Sequence, residues 1–211
     1  MQTTRIPRAA LLLCASALLT GCGTSGGSAG LAAAPSPVGS ADAARAGQQL
    51  LGELLAVPPG ADAWSRNPTG VLDRTTVVHA FYAETSWDRA DAETTRRGFV
   101  AAARHGWTNP DGSQCDVLLI EFQTPGGATS MADSLSEDWK FAEDGDRFDD
   151  HDVHGSGFVE SKPDPAGLTA AEVVATHRTV LAYVAYLGNG KPDRAAAERM
   201  IKDQINALGG V

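Results

Sequence analysis

The densest run of ionisable side chains is Glu143-Asp144-Gly145-Asp146-Arg147-Phe148-Asp149-Asp150-His151-Asp152-Val153-His154. Carboxylates and imidazoles at that density could hold a divalent cation. A calcium loop of the EF-hand type needs oxygen ligands at positions 1, 3 and 5, Gly at 6 and Glu at 12. Counted from Asp144, Phe148 falls on position 5 and Asp149 on position 6, so the match fails. In an extended chain Asp150, Asp152 and His154 would point to one side, which makes them the only metal-ligand candidates. The segment otherwise reads as a solvated acidic loop, and no metal is expected.

Nucleophilic chemistry finds little support. A nucleophile elbow needs G-x-S-x-G, and Val153-His154-Gly155-Ser156-Gly157 lacks the first Gly. Gly155-Ser156-Gly157 reads instead as a bend or bulge leading into a strand. Cys115 has Gln114 and Asp116 as neighbours, with no cation in the local sequence to lower its pKa, so it reads as a half-buried structural thiol. His79 falls on the apolar face of an expected strand, as a core or pocket residue. Trp64, Trp87, Trp107 and Trp139 all read as packing residues, with a groove-lining role as the alternative for Trp64 and Trp87, which lie in loop-like stretches. No phosphate-binding G-x-x-x-x-G-K-[ST] or dinucleotide G-x-G-x-x-G motif occurs, and no cofactor is expected. A hydrolase would have to bring His79, His154 or His177 next to a serine, Cys115 or a carboxylate through the fold alone.

These residues sit in a chain of 211, of which 43% is hydrophobic and 20% charged, values of an ordinary globular protein. Its 17 basic and 26 acidic residues give a formal net charge of −9, the wrong sign for displacing counterions from nucleic acid. Three cysteines cannot build a disulfide framework.

The first residues read as a targeting segment, with Arg5 and Arg8 ahead of an apolar run from Ala9 to Leu19. That run is shorter than the roughly 20 residues that cross a bilayer. It ends in Leu19-Thr20-Gly21-Cys22, which resembles the lipobox of bacterial lipoproteins. The resemblance implies cleavage between Gly21 and Cys22, a diacylglyceryl group on the Cys22 sulfur, and a protein held by lipid on the outer face of the cytoplasmic membrane. Two acyl chains suffice for stable anchoring. Cleavage removes Arg5 and Arg8 and no acid, leaving a net charge of −11. Cys115 is then the one free thiol. Residues 22–40 comprise the lipidated Cys and an uncharged Gly/Ser/Ala/Pro tether, whose last 18 residues span on the order of 20–25 Å as a flexible coil.

Residues 41–211 are expected to form one α+β domain, with an antiparallel sheet of about six strands and helices on one face. Asp42 to Val57 reads as a helix through Leu50, Leu51, Leu54 and Leu55, capped by Ser40. Thr75 to Glu84 reads as a strand, and residues 98–123 as a hairpin turning at Asn109-Pro110-Asp111-Gly112. Thr124-Pro125 opens a helix through Ala128, Met131, Leu135 and Trp139. Further strands are expected at Gly157–Glu160, Ala171–His177 and Val180–Leu187, with a last helix from Pro192 to Leu208. The order α-βββα-βββα suggests a βββα pseudo-repeat.

Leu54-Leu55-Ala56-Val57-Pro58-Pro59-Gly60-Ala61, Gly106-Trp107-Thr108-Asn109-Pro110-Asp111-Gly112 and Gly190-Lys191-Pro192-Asp193-Arg194, with the lipobox, resemble small uncharacterised envelope lipoproteins of actinobacteria. The layout is similar to the helix-backed sheet of the Mog1/PsbP-like group. The resulting expectation is a non-catalytic binding module whose partner is another envelope protein, a cell-wall component or a small apolar ligand. An envelope hydrolase is the alternative.

Overall fold

The structure is a computed structural model and describes residues 39–65 and 67–209. Gly21, Cys22 and the tether as far as residue 38 lie outside the described residues. The elements run α1 (Ser40–Glu53), β1 (Asp62–Ala63), β2 (Gly70–Leu72), α2 (Arg74–Phe81), α3 (Trp87–Arg96), β3 (Phe99–Thr108), β4 (Gln114–Phe122), α4 (Pro125–Lys140), β5 (Gly145–Asp150), β6 (Gly155–Glu160), β7 (Leu168–His177), β8 (Val180–Asn189) and α5 (Arg194–Ala207). The described strands form one antiparallel sheet in the order β1-β3-β4-β8-β7-β6-β5, with β2 also on β3. This is the expected α+β architecture.

The centre of the sheet is apolar on both sides, and that decides where the helices go. In β4, Val117 and Leu119 face one way and Leu118 and Ile120 the other, all at most 2% exposed. A strand buried on both faces reads as a continuous hydrophobic run rather than an alternating one. Leu50 of α1 and Leu54 at its C-terminal cap, with Ala197, Ile201 and Ile205 of α5, cover the first face. Val77 of α2 and Ala128, Met131 and Leu135 of α4 cover the second. The expectation of helices on one face is therefore corrected: the sheet is the middle layer of three. The order hairpin then helix does recur, as β3-β4-α4 and β7-β8-α5. Because α4 and α5 lie on opposite faces, no rotation that exchanges the antiparallel β4 and β8 also exchanges these helices.

Two local readings change. Residues 75–84 are not a strand, since Arg74–Phe81 forms α2. Asp73 caps it by accepting a 2.7 Å hydrogen bond from the Thr76 backbone N–H. That cap, and burial of Val77, Val78 and Ala80 on one side of a helix, override the strand preference of the β-branched run Thr75–Val78. The acidic segment is not a loop throughout, because Gly145–Asp150 is β5, the outer strand beside β6. Charges are tolerated on an edge strand, where they discourage pairing with other chains. Phe148 is the large apolar side chain that anchors β5 to the core, packing where Gly157 leaves room: a Cβ on Gly157 would stand 2.2 Å from the Phe148 ring. Gly155-Ser156-Gly157 is thus the start of β6 itself, with Gly157 serving close packing.

A polar clamp joins the first and last helices. Gln204 of α5 is fully buried, donates through Nε2 to the Glu53 carbonyl at 2.9 Å and accepts the Leu55 N–H through Oε1 at 3.0 Å. One side chain satisfies a carbonyl at the end of α1 and the amide that follows.

Candidate functional site

The described surface has a groove of about 750 Å³ where the open edge of β3 meets three helices. β2 pairs with Ala102 to Arg104 and then turns away at Asp73 into α2, so residues 99–101 lie beyond its reach. The β3 register shifts between Phe99 and Ala101, and this bulge forms the groove floor. Ala43 and Ala44 of α1 form one wall; Val71, 39% exposed, stands on another. The charged rim residues are internally paired: Arg74 donates to both Asp91 carboxylate oxygens at 2.7 and 3.2 Å, and Asp73 is occupied by its cap. Thr76 hydrogen bonds hold the Asp73 carboxyl below its ordinary value, so the rim keeps its charge. The groove can hold a molecule by shape and apolar contact. It presents no nucleophile paired with a base.

A second feature lies on the α4 face of the sheet. Cross-strand register aligns Gly106 with Asp116, Asp116 with Ala185, Ala185 with Glu172, and Glu172 with Phe158. Arg104 meets Asp116 in a buried fork, Nε to Oδ1 at 2.7 Å and Nη2 to Oδ2 at 2.6 Å. Burial is the largest influence and works against the Arg104 charge, but the Asp116 hydrogen bonds together with the charges of Asp116 and Tyr183 outweigh it and raise the guanidinium above its ordinary pKa. Trp64 lies flat on Gly106, where a Cβ would come within 2.1 Å of the ring, and the Arg104 Cζ sits 5.5 Å from its centroid.

Glu172 is 5% exposed and has no cation of its own. Burial above all, then the charge of Glu160, pushes its carboxyl from 4.5 up to about 8. The polar hydrogens of Tyr183 and Trp139 pull the other way without prevailing. Burial and the Glu172 charge together push the Tyr183 phenol well above its usual value. The cover over Glu172 comes from Trp139, in the last turn of α4, which stacks on Phe158 with centroids 6.3 Å apart and planes 17° apart.

The residues singled out in the sequence are scattered. Asp150 ends β5, and its Oδ1 accepts the Asp152 backbone N–H at 3.0 Å. Asp152 turns outward to Lys202 at 3.0 Å, and His154 occupies a left-handed turn position with φ 52°. Residues 151–154 are a turn rather than extended chain, so the geometry that would have aligned the three ligands is absent. Among the described residues no group of three His, Cys, Asp or Glu side chains is placed to hold a metal. His79 is on α2, exposed and stacked 3.6 Å from Trp87, not on an apolar strand face. The Nε2 of His177 is buried without a partner. Ser156 accepts from Arg147 at 3.3 Å. Cys115 is buried and accepts from Asn109 Nδ2 at 3.5 Å; burial pushes its thiol up to about 11. Trp107 is in the core, while Trp64 and Trp139 flank the charged row.

Arg104, Asp116 and Glu172 were not among the expected site residues. Their trace in the sequence is a charge set directly beside an apolar residue inside three largely apolar strands, in Ala103-Arg104, Asp116-Val117 and Glu172-Val173. The register that gathers them on one face is a property of the sheet.

No protein-family profile matches the chain, and no curated protein matches it. A solved structure does: the extracellular domain of PknH from Mycobacterium tuberculosis is similar with a TM-score of 0.55 and 11% identity, over 82% of this chain and 98% of that one. At that identity the two share a fold.

Proposed function

We propose that this chain is an extracytoplasmic, non-catalytic binding or sensing module, tethered to the outer face of the cytoplasmic membrane. In this reading residues 1–21 are a lipoprotein signal peptide cleaved at Gly21, Cys22 carries the lipid, residues 22–40 form the tether and residues 41–211 the domain. The observation that carries the binding function is the groove beside the bulged start of β3. Its volume of about 750 Å³ falls in the range of small-molecule sites. Its two charged rim residues are tied up, Arg74 in an ion pair with Asp91 and Asp73 in a helix cap, which suits holding a largely apolar ligand more than transforming one. The fold shared with the extracellular domain of PknH supports an extracytoplasmic role.

The hydrolase alternative draws less support. Among the described residues no hydrogen bond joins His79, His154 or His177 to a serine, Cys115 or a carboxylate. The Asp116 carboxylate is buried in its fork with Arg104.

Replacing Ala44 on the exposed groove wall by Trp fills the groove mouth without touching the core. The full chain purified from membranes should show, by native mass spectrometry, a defined adduct that Ala44→Trp loses. An adduct equally retained by Ala44→Trp would place binding elsewhere. Anchoring is tested separately: Cys22→Ala should move the protein out of the membrane fraction, and retention there would refute the lipid anchor.

A further inference from the structure

Among the described residues one sheet face carries three buried or half-buried carboxyls, Asp116, Glu160 and Glu172, against one buried cation, Arg104, the half-buried Arg97 at the end of α3 being turned to Glu93 and Met131. Arg104 is spent on Asp116 through both arms of its guanidinium. Glu160, on β6, accepts the Ala170 backbone N–H at 2.9 Å. Glu172 lies between them on β7, facing Glu160 from β6, Tyr183 from β8 and Trp139 from α4, with Asp116 two strands away on β4. Arg147, on β5 beyond Phe158, is turned to Asp149 and Ser156. Charge counting alone leaves Glu172 without compensation, and an uncompensated buried carboxylate either takes a proton or draws in water.

We propose that Glu172 is a proton-operated latch on the α4 face: protonated, it lies closed under Trp139 and Phe158, and when its proton passes to solvent base the Trp139 cover opens to let water reach the carboxylate. Trp139 is the part able to move. It is half-buried in the final turn of a helix, whereas Phe158 and Tyr183 are buried in strands paired on both sides. The Tyr183 hydroxyl and the Trp139 indole N–H both favour the ionised carboxyl, so neither opposes loss of the proton; the missing component is hydration, and the helix end admits it. The closed form is therefore the acid form. Burial and the neighbouring Glu160 charge put the transition near pH 8, within reach of a domain whose surroundings are set by the medium.

The test uses the full mature chain, followed between pH 5.5 and 9.5 by tryptophan emission and by amide hydrogen exchange in the last turn of α4. Wild type should shift to the red on the alkaline side and exchange residues 135–140 several-fold faster than Glu172→Gln at the same pH. Glu172→Gln keeps the shape of the protonated acid and should show no such transition. Glu160→Gln removes the negative neighbour and should bring the midpoint down by a measurable fraction of a pH unit. Trp139→Phe should lose the emission shift and keep the exchange response. A transition of equal size in wild type and Glu172→Gln, no transition in wild type, or a midpoint unmoved in Glu160→Gln would each overturn the proposal.

Discussion

Replacing Glu172 by Gln tests the energetics of the buried charged row in the simplest way, because it removes the titration and keeps the volume. The folded carboxyl has its pKa raised from 4.5 to about 8, so the folded chain holds a proton that the unfolded chain has released. A raised carboxyl pKa means that stability falls with rising pH. The contribution is undiminished below about pH 4.5, declines through the interval and levels off above about pH 8. One pKa unit corresponds to about 1.4 kcal/mol. Wild type therefore gives up roughly 3 kcal/mol at pH 7 and less than about 1 kcal/mol at pH 5. The Gln amide introduces its own hydrogen-bonding cost, which does not vary with pH. The firm expectation is thus a difference of differences: relative to wild type, Glu172→Gln should gain about 2.5 kcal/mol between pH 5 and pH 7. Urea unfolding at four pH values, followed by circular dichroism, measures it directly. Parallel stability curves for the two proteins across pH 5–8 would show that Glu172 is not protonated in the fold and would refute the reasoning.

Three further outcomes follow from the packing. Gln204→Leu should destabilise by about 2–4 kcal/mol in urea unfolding, because it strands the Glu53 carbonyl and the Leu55 amide together; a loss under 1 kcal/mol would mean that water replaces the clamp. Arg104→Met should cost about 3–5 kcal/mol by leaving Asp116 buried and unpaired, while Arg104→Met with Asp116→Leu should recover most of that loss. The Cys115 thiol, pushed from 9.0 to about 11, carries about 100-fold less thiolate at pH 8 than an unshifted one. Its reaction with a disulfide reagent should be slower in the folded chain than in urea by about tenfold or more, because the loss of thiolate outweighs the greater nucleophilicity of a higher-pKa thiolate.

Much of the architecture was legible because turn and cap residues act locally. Asn109-Pro110-Asp111-Gly112 turns the β3–β4 hairpin, with the Gly112 N–H donating to the Asn109 carbonyl and Gly112 at φ +84°. Thr124 caps α4 ahead of Pro125, as read. Asp73 carried the same kind of information for α2, yet four β-branched residues in succession obscured it. The burial of β4 and β8 on both faces was also present in their unbroken apolar runs, and reading it would have placed helices on each side. The site was far less legible. Arg104, Asp116 and Glu172 are separated by as many as 68 positions in the chain and meet only through the register of four strands. The groove depends on where β2 stops and on a one-residue bulge, neither of which has a compositional signature. The acidic stretch at 143–154 drew attention by density alone, but its charges are spent on an edge strand, a tight turn and surface ion pairs.

The most direct test of the central claim, that the domain binds a ligand in the groove beside β3, is native mass spectrometry on the full chain purified from membranes of its own or a related host, with Ala44→Trp alongside. The account predicts a discrete mass excess on the wild-type protein that disappears on denaturation and is absent from Ala44→Trp. Wild type at its bare lipidated mass, or an adduct of the same occupancy on both proteins, would contradict it.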